Sequence, residues 1–514
     1  MTMSKIRGMR GFLASSIGVT CAAALALPLT PPAAATTAAT VRTATVLPDA
    51  TARQVPSAEA PGSTQSLALA PLPSPTHDRV RGPAAEQGLS RQDVRRFSLV
   101  GVIWDDPDVE LHGRVQVRTR AAGTGTWTDW QDVETHNGDH AADPGTAERT
   151  SGRVRGATAP LWVGDSDGVE VRVRAEPPAP RVEDTARGPH TATDTAPLPS
   201  GLRLELVDPG AEPPTTPDAE PPTPDAALGA AGTRQALQAL QAPQAPQAPQ
   251  APRDLAPTAE PVEAPAATDA SAANAGLAPL GATEIPALTR QETEQELLTL
   301  RTPQLPEEQR VKPKIGPRPR IVTRRGWGAN ESLRERTFVY TKKVKAAFVH
   351  HTASGNGYRC AQASSVIRGI YRYHVRSMGW RDIGYNFLVD KCGNIYEGRA
   401  GGVAKPVLGA HTLGFNTNSA GIAVLGSFGS KKPSAAAVKA IARLTAWKLG
   451  LHGANPRGKT YLKSGGGNLY RKGKNVRLNV ISGHRDGFAT ACPGWQLYRK
   501  LGSARSTAAR YQGR

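Results

Sequence analysis

The chain has 514 residues, with 44 prolines, 52 glycines and an aromatic content of only 5%. This composition excludes a single core that runs through the whole chain, and the length leaves room for two or three domains. The formal net charge of +19 indicates an anionic partner. Nucleic acid, a membrane surface and an anionic cell wall are the classes that such a charge allows.

The N-terminus predicts export. Basic residues precede an apolar stretch over residues 11–29, and Ala33 and Ala35 stand at the small-residue positions of an export cleavage site. An uncleaved membrane anchor is the alternative, because the stretch is almost long enough to span a bilayer. Its alanine content, its break at Pro28 and the cleavage site favour a signal peptide over residues 1–35. We therefore expect a secreted protein with no membrane insertion after cleavage and no nucleic-acid partner.

An all-β module follows a low-complexity segment. Residues 36–94 are rich in Ala, Pro, Ser and Thr without periodicity, and predict a disordered lead-in. Apolar and charged residues then alternate in "VELHGRVQVRTR" and "GVEVRVRA", which predicts half-buried strands and a small β-sandwich over residues 95–208. We expect Trp104, Trp127 and Trp130 to pack in its core, although an exposed tryptophan pair could instead stack on sugars.

A linker separates this module from the last domain. Residues 209–320 include "PTTPDAEPPTPD" and the repeat "QALQALQAPQAPQAPQAP", in which no alternation could bury a face. Proline at every third position stiffens such a chain into an extended spacer. The segment 293–301 ("TEQELLTLR") predicts one or two helical turns. The region is therefore predicted to be a disordered linker that provides reach.

Residues 321–505 predict an α/β domain. "KAAFVHHTAS" indicates a strand over 346–352, residues 361–378 have a helical period, and "GYNFLVDKCGNIYEGR" indicates a hairpin. "AGIAVLGSF" is typical of a buried strand, and residues 432–450 predict a helix that ends at glycine. A surface hairpin and a last strand, "NVISG", precede His484.

The cysteine count leaves one thiol to explain. If Cys21 leaves with the signal peptide, the mature chain has three cysteines, so one has no intramolecular partner. A free thiol is a liability in an oxidising compartment unless something, such as a metal ion, occupies it. Cys360 and Cys392 flank the predicted helix and hairpin, and a disulfide between them would leave Cys492 unmatched. A disulfide between Cys360 and Cys492 satisfies the count equally well.

Histidines at strand ends are candidate co-ligands for the unmatched thiol in a metal site. His350 and His351 are adjacent in a strand, so their side chains point to opposite faces and only one can face a given site. His484 ends another strand, and Cys492 follows after a short loop. Two histidines and one cysteine make a three-ligand zinc site with an open fourth position, as in catalytic zinc sites. The spacing alone fits structural histidines and a disulfide-bonded cysteine as well.

Five segments together resemble the peptidoglycan recognition proteins and the related phage-lysozyme-type N-acetylmuramoyl-L-alanine amidases. The resemblance covers about residues 320–502 and is strongest to secreted actinobacterial members, which carry a β-rich module and a Pro/Ala-rich linker before the amidase domain. It implies a mixed β-sheet flanked by helices. The segments are "RRGWGA" (324–329), "FVHHTAS" (348–354), "RDIGYNFLVDKCGNIYEGR" (381–399), "LGAHTLGFNTNSAGIAVLGSF" (408–428) and "SGHRDGFATACPG" (482–494).

The resemblance also implies a zinc site and an activity. Carried over by position, zinc is held by His350, His484 and Cys492, and His351 points away. The implied reaction is hydrolysis of the amide bond between the lactyl group of N-acetylmuramic acid and L-alanine in peptidoglycan. Members that only bind lack the cysteine, so its presence favours an enzyme. A non-catalytic peptidoglycan-binding protein is the alternative.

Further residues take roles from the same resemblance. Tyr385 and Thr490 match positions that donate hydrogen bonds to the oxyanion of the tetrahedral intermediate. Besides peptidoglycan, the basic surface suits anionic wall polymers, and we expect a monomer. Asn416 and Asn418 could equally be turn formers. The predicted contacts to glycan or stem peptide are Arg399, His411, Asn416 and Asn418.

Overall fold

The computed structural model describes five stretches of the chain: residues 62–72, 86–176, 196–211, 270–301 and 307–514. The predicted signal peptide and the proline repeat of the linker lie outside these residues. In the part of the chain that is described, no helix combines the length and apolar character that crossing a bilayer requires.

The N-terminal module is a β-sheet with the spatial order β1-β8-β3-β7-β4-β5, and β2 and β6 pair with β3. Neighbouring strands are antiparallel, and buried positions alternate with partly exposed ones along much of β4 and the second half of β7, as the sequence pattern predicts. The described strands are β1 Ser63–Ala68, β2 Ala70–Pro71, β3 Glu86–Trp104, β4 Gly113–Ala121, β5 Gln131–Val133, β6 Gly156–Ala157, β7 Leu161–Ala175 and β8 Arg203–Asp208.

Two features of this module differ from the prediction. β1 pairs with β8 from Ser63↔Asp208 to Ala68↔Arg203, and β3 starts at Glu86, so the predicted disordered lead-in over 36–94 is wrong for the described part of that range. β1 depends on a partner about 140 positions away, which local composition cannot reveal. Trp104 is buried as predicted, whereas the other two predicted core tryptophans are partly exposed beneath arginine guanidinium groups.

The C-terminal domain has a mixed sheet in the order β17-β11-β14-β12-β13-β10-β9, with β17, β11, β14 and β12 parallel. The strands are β9 Glu284–Ile285, β10 Ile321–Val322, β11 Ala346–His351, β12 Phe387–Val389, β13 Ile395–Glu397, β14 Ser419–Val424, β15 Lys459–Lys463, β16 Asn475–Asn479 and β17 Ile481–Gly483, of which β15 and β16 form a separate hairpin. The helices are α1 Arg290–Arg301, α2 Glu307–Val311, α3 Ala363–Arg372, continued as a π-helix over Tyr373–Ser377, α4 Ala435–Gly450, α5 Trp495–Tyr498 and α6 Leu501–Tyr511.

The end of the predicted linker belongs to this domain. β9 pairs with β10, and Leu297 of α1 is fully buried in the core beside α4 and α6. The predicted disordered linker over 209–320 is therefore wrong from residue 270 onward in the described stretches. The cause is again a short, weakly patterned segment that becomes ordered only against a distant surface.

The module and the domain share one hydrophobic core. Leu99 and Trp162 of the module are in the same buried cluster as Ile370 of α3 and Tyr373. The Tyr373 hydroxyl donates a hydrogen bond to the Thr158 carbonyl oxygen (3.1 Å). Close packing here requires a glycine in β3, because a Cβ on residue 101 would lie 2.3 Å from that hydroxyl oxygen. The two parts are thus one packed body and not independent domains on a tether.

Candidate metal centre

Two parallel strands bring the predicted ligands together. β11 and β17 are neighbours in the sheet, so their carboxyl ends lie at the same edge. His350 is near the end of β11, and His484 comes directly after β17. The short loop that follows His484 returns to this edge with Cys492, which is buried and free of a disulfide. His351 points to the other face, where its Nδ1 accepts a hydrogen bond from the Phe428 backbone N–H (3.3 Å).

A fourth side chain joins these three. The possible ligand atoms of His140, His350, His484 and Cys492 all lie within 4.8 Å of one another, and all four residues are buried. The Cys492 Sγ is 3.8 Å from the His350 Nδ1 and 3.4 Å from the His140 Nε2. The rings of His350 and His484 have centroids 4.6 Å apart. This buried group of three histidines and one cysteine could bind a metal ion.

His140 comes from the β-module and was not predicted. It lies in residues 134–155, here called the module loop, which connects β5 to β6. Asp139 Oδ1 lies 3.0 Å from the His140 Nδ1, which turns the Nε2 toward Cys492. A carboxylate on the outer nitrogen of a histidine is the usual arrangement around metal ligands. The only signal in the sequence was an Asp-His pair in a polar loop.

The donor set fits zinc on its chemistry. Both ring nitrogens of His484 are buried and have no hydrogen-bond partner among the described residues, although Asp139 Oδ2 lies 3.6 Å from the Nδ1. Buried polar atoms without a partner are rare because they forfeit their hydration, and a bound ion would account for one of these two nitrogens. Imidazole nitrogens with a thiolate are typical zinc ligands.

The charge states also suit a cation. Burial lowers the pKa of His484 to about 3 and the pKa of His350 well below its ordinary value. Both imidazoles are therefore neutral at physiological pH, which is the form that binds a metal. Burial raises the pKa of the Cys492 thiol, so a bound cation would be needed to favour its thiolate.

His411 lies behind His350, on the far side of Thr412. It is fully buried, and its Nδ1 is 3.0 Å from the Thr412 Oγ1, which in turn lies 3.4 Å from the His350 Nε2. This chain of contacts fixes the ring of His350. The predicted role of His411 as a substrate contact stays a prediction, and its observed contact is with Thr412 beside His350.

The two predicted catalytic side chains lie beside the centre. The ring centroid of Tyr385 is 5.6 Å from that of His350, and burial raises the pKa of its phenol well above the ordinary value. The phenol consequently keeps its proton and can donate a hydrogen bond. The Thr490 Oγ1 accepts a hydrogen bond from the Cys492 backbone N–H (3.1 Å).

The remaining predicted substrate contacts are already engaged within the chain. Arg399 donates two hydrogen bonds to the Glu148 carboxylate, both 2.8 Å long, and Asn416 Nδ2 donates to Asp143 Oδ1 (2.7 Å). Both acidic residues belong to the module loop. Asn418 has a left-handed backbone (φ 60°) and its Oδ1 accepts from the Lys343 N–H (3.3 Å), so it is a turn former.

Comparison with known proteins agrees with this fold. Residues 340–495 match the family described as N-acetylmuramoyl-L-alanine amidase, and residues 48–198 match the family described as Rv3811 N-terminal galactose-binding domain-like. Peptidoglycan-recognition protein SC2 of Drosophila simulans is 31% identical over 181 residues, which cover 35% of this chain and 84% of that protein. Peptidoglycan-recognition protein 1 of Holotrichia diomphalia is 34% identical over 184 residues, 36% of this chain and 79% of the relative.

A solved structure of peptidoglycan recognition protein-LE in complex with tracheal cytotoxin is 31% identical, covers 36% of this chain and 92% of its own, and has a TM-score of 0.28. The chain belongs to the peptidoglycan recognition protein and N-acetylmuramoyl-L-alanine amidase family. The resemblance seen in the five sequence segments is thereby confirmed, as is the expected fold: an all-β module followed by a mixed sheet flanked by helices.

Proposed function

We propose that this protein is a secreted, zinc-dependent N-acetylmuramoyl-L-alanine amidase, which hydrolyses the bond between the lactyl group of N-acetylmuramic acid and L-alanine. The observation that supports this most is the buried Cys492 thiol beside His350 and His484. A disulfide between Cys360 and Cys392 leaves that thiol free for a metal. Histidine and thiolate ligands of this kind hold catalytic zinc in other enzymes.

The side chains around the centre have distinct roles in this proposal. His350, His484 and Cys492 would hold the zinc, which would supply Lewis-acid polarisation of a carbonyl and lower the pKa of water. The phenol of Tyr385 and the hydroxyl of Thr490 donate hydrogen bonds to the oxyanion that develops on the lactyl carbonyl. Burial keeps Tyr385 protonated, so it is a donor and not a base in the ground state.

The names of the relatives, the disulfide and the net charge support the proposed substrate and the proposed secretion. The relatives' names state that they recognise peptidoglycan, and we propose peptidoglycan as the substrate here. The disulfide suits an oxidising compartment, in agreement with the predicted signal peptide. The net charge of +19 would attract anionic wall polymers, an attraction that added salt would weaken.

One observation favours a second candidate, a peptidoglycan-binding protein without turnover. The His140 side chain lies at the centre as a possible fourth ligand, and zinc sites with four protein ligands are usually structural. The two candidates differ in what they do to intact cell wall.

Digestion of purified sacculi distinguishes them. Zinc-loaded protein, both with the native sequence and with His140→Ala, is incubated with sacculi, and mass spectrometry measures new free amino termini on L-alanine. We expect these termini from at least the His140→Ala protein, and none after the zinc is removed with a chelator. Sacculi that bind both zinc-loaded proteins without producing any new termini would support the binding protein instead.

A further inference from the structure

The module loop reaches across the C-terminal domain at three points. His140 lies at the metal centre, Asp143 contacts Asn416, and Glu148 contacts Arg399. Asp143 and Glu148 are buried, with relative exposures of 7% and 6%. The loop thus contacts the metal centre and two of the residues that the family resemblance assigns to the substrate groove.

His140 is held in a fixed orientation toward the centre. Its Nδ1 is engaged by Asp139, and the Asp139 carbonyl oxygen accepts a hydrogen bond from the Leu413 backbone N–H (3.0 Å). Its ring centroid lies 4.5 Å from that of His484 and 5.2 Å from that of His350. A histidine so constrained on its outer nitrogen presents its Nε2 as a ligand.

We propose that His140 is a fourth protein ligand of the metal and that the module loop thereby closes the site, so that the intact chain is a latent amidase. The latency rests on the proposed function, whereas the ligand assignment does not. A catalytic zinc site keeps one position for water or substrate, and a fourth protein ligand takes that position.

The two acidic side chains of the loop make the kind of contact that a carboxylate of the substrate could make. The buried Arg399 guanidinium and the Asn416 amide both donate to carboxylates of the loop. Peptidoglycan stem peptides also carry carboxylates, so loop and stem peptide compete for the same donors. A cavity of about 440 Å³ remains beside His140 and Thr490, but neither Arg399 nor Asn416 lines it.

Packing near the end of the module loop anchors it to the C-terminal domain. Val154 near the loop's end is buried in the shared core with Met378, and the Arg155 N–H donates to the Met378 carbonyl oxygen (3.1 Å). On the other side Trp162 packs in the same core and donates its backbone N–H to the Ser354 carbonyl oxygen (3.1 Å). Opening the site therefore requires the loop to move or be cut while the module stays in place.

Metal binding by the full-length chain tests the ligand assignment. Zinc affinity is measured by competition with a chromophoric chelator for the native protein, His140→Ala and His136→Ala. His136 is the matched control, since it lies four positions earlier in the same loop with its side chain 72% exposed. We expect the affinity to fall at least about tenfold in His140→Ala and to stay unchanged in the control. Equal affinities in all three proteins would overturn the proposal.

Cobalt substitution adds a readout that does not depend on affinity or turnover. With four protein ligands, the visible spectrum of the cobalt-loaded native protein should not change when azide is added, whereas the open position in His140→Ala should bind azide and shift the bands. Asp139→Asn is a second variant that keeps the side chain's volume and polarity, so it is expected to fold. It should lower zinc affinity about 10- to 100-fold. A native cobalt protein that responds to azide as His140→Ala does would refute a closed site.

Latency itself is tested on sacculi with the same variants. His140→Ala should release L-alanine amino termini faster than the native chain, and His136→Ala should match the native chain. A native chain that cleaves as fast as His140→Ala contradicts latency. If neither cleaves, the proposed function and the latency fail together, while the zinc and azide measurements still decide whether His140 is a ligand.

Discussion

The buried ion pair between Glu148 and Arg399 gives a quantitative test of how the module loop is held. The two side chains are 6% and 7% exposed, and two hydrogen bonds of 2.8 Å join them. Glu148→Ala would leave the guanidinium buried with only backbone carbonyls as acceptors, such as that of Ile383 (2.9 Å). Removing one partner of a buried pair costs about 3–5 kcal/mol, and we expect a loss of unfolding free energy in this range.

An exposed pair in the same chain provides the comparison. Arg114 also donates two hydrogen bonds to one carboxylate, from Nε and Nη2 to Asp132 at 2.7 and 2.9 Å, but these side chains are 54% and 59% exposed. Solvent screens such a pair, so its coupling energy should be well below that of the buried pair. The difference between the two coupling energies therefore reports mainly the effect of burial, because the residue types and bond lengths of the two pairs are nearly matched.

The assay is a double-mutant cycle for each pair, with unfolding in urea followed by tryptophan fluorescence on zinc-loaded protein. We expect a coupling energy of about 2–3 kcal/mol between Glu148 and Arg399, at the upper end for contacting residues. Equal couplings for the buried and the exposed pair would refute the reasoning, since the loop would then be held by something other than this contact.

Two further predictions concern the metal and the core. Cys492→Ser should lose zinc on dialysis, whereas Thr490→Ala, two positions away, should retain it. In the His140→Ala background, Thr490→Ala should lower turnover about 10²- to 10³-fold. Equal zinc contents in native and Cys492→Ser protein would contradict the ligand role of Cys492. Burial raises the pKa of Glu397 from 4.5 to about 7, so the native state binds more protons than the unfolded state between these values and stability falls as pH rises through them. Glu397→Gln should remove this fall, as measured by urea midpoints across the range, and a fall as large as in the native chain would contradict it.

The sequence predicted most of the centre because its parts are local. His350 lies near the end of one short apolar strand, and His484 directly follows another. Cys492 comes one loop after His484, so alternation and the cysteine count were enough to bring these residues into consideration. The family motifs then favoured a metal ligand over a disulfide partner for Cys492, which is free in the structure. The same kind of local signal predicted the hairpin of β12 and β13 and the helix α4.

What the sequence did not reveal depends on long-range packing. His140 is in a different module, and only the folded chain shows that Asp139 turns it toward Cys492. Asn416 was assigned to the groove by its segment, yet its partner Asp143 lies 273 positions away. Pairing across such distances is set by the docking of two surfaces, which leaves no periodic pattern in either segment.

A metal held by His140 and Cys492 would also act as a cross-link. The two residues are 352 positions apart in the chain. Because an unfolded chain rarely retains a preformed metal site, the binding free energy of the ion would add to the stability of the folded, docked state. Such a centre cannot be completed until nearly the whole polypeptide has been made and both parts have docked. Acquisition of the ion would then be the last step of maturation, and its loss would loosen the module from the domain.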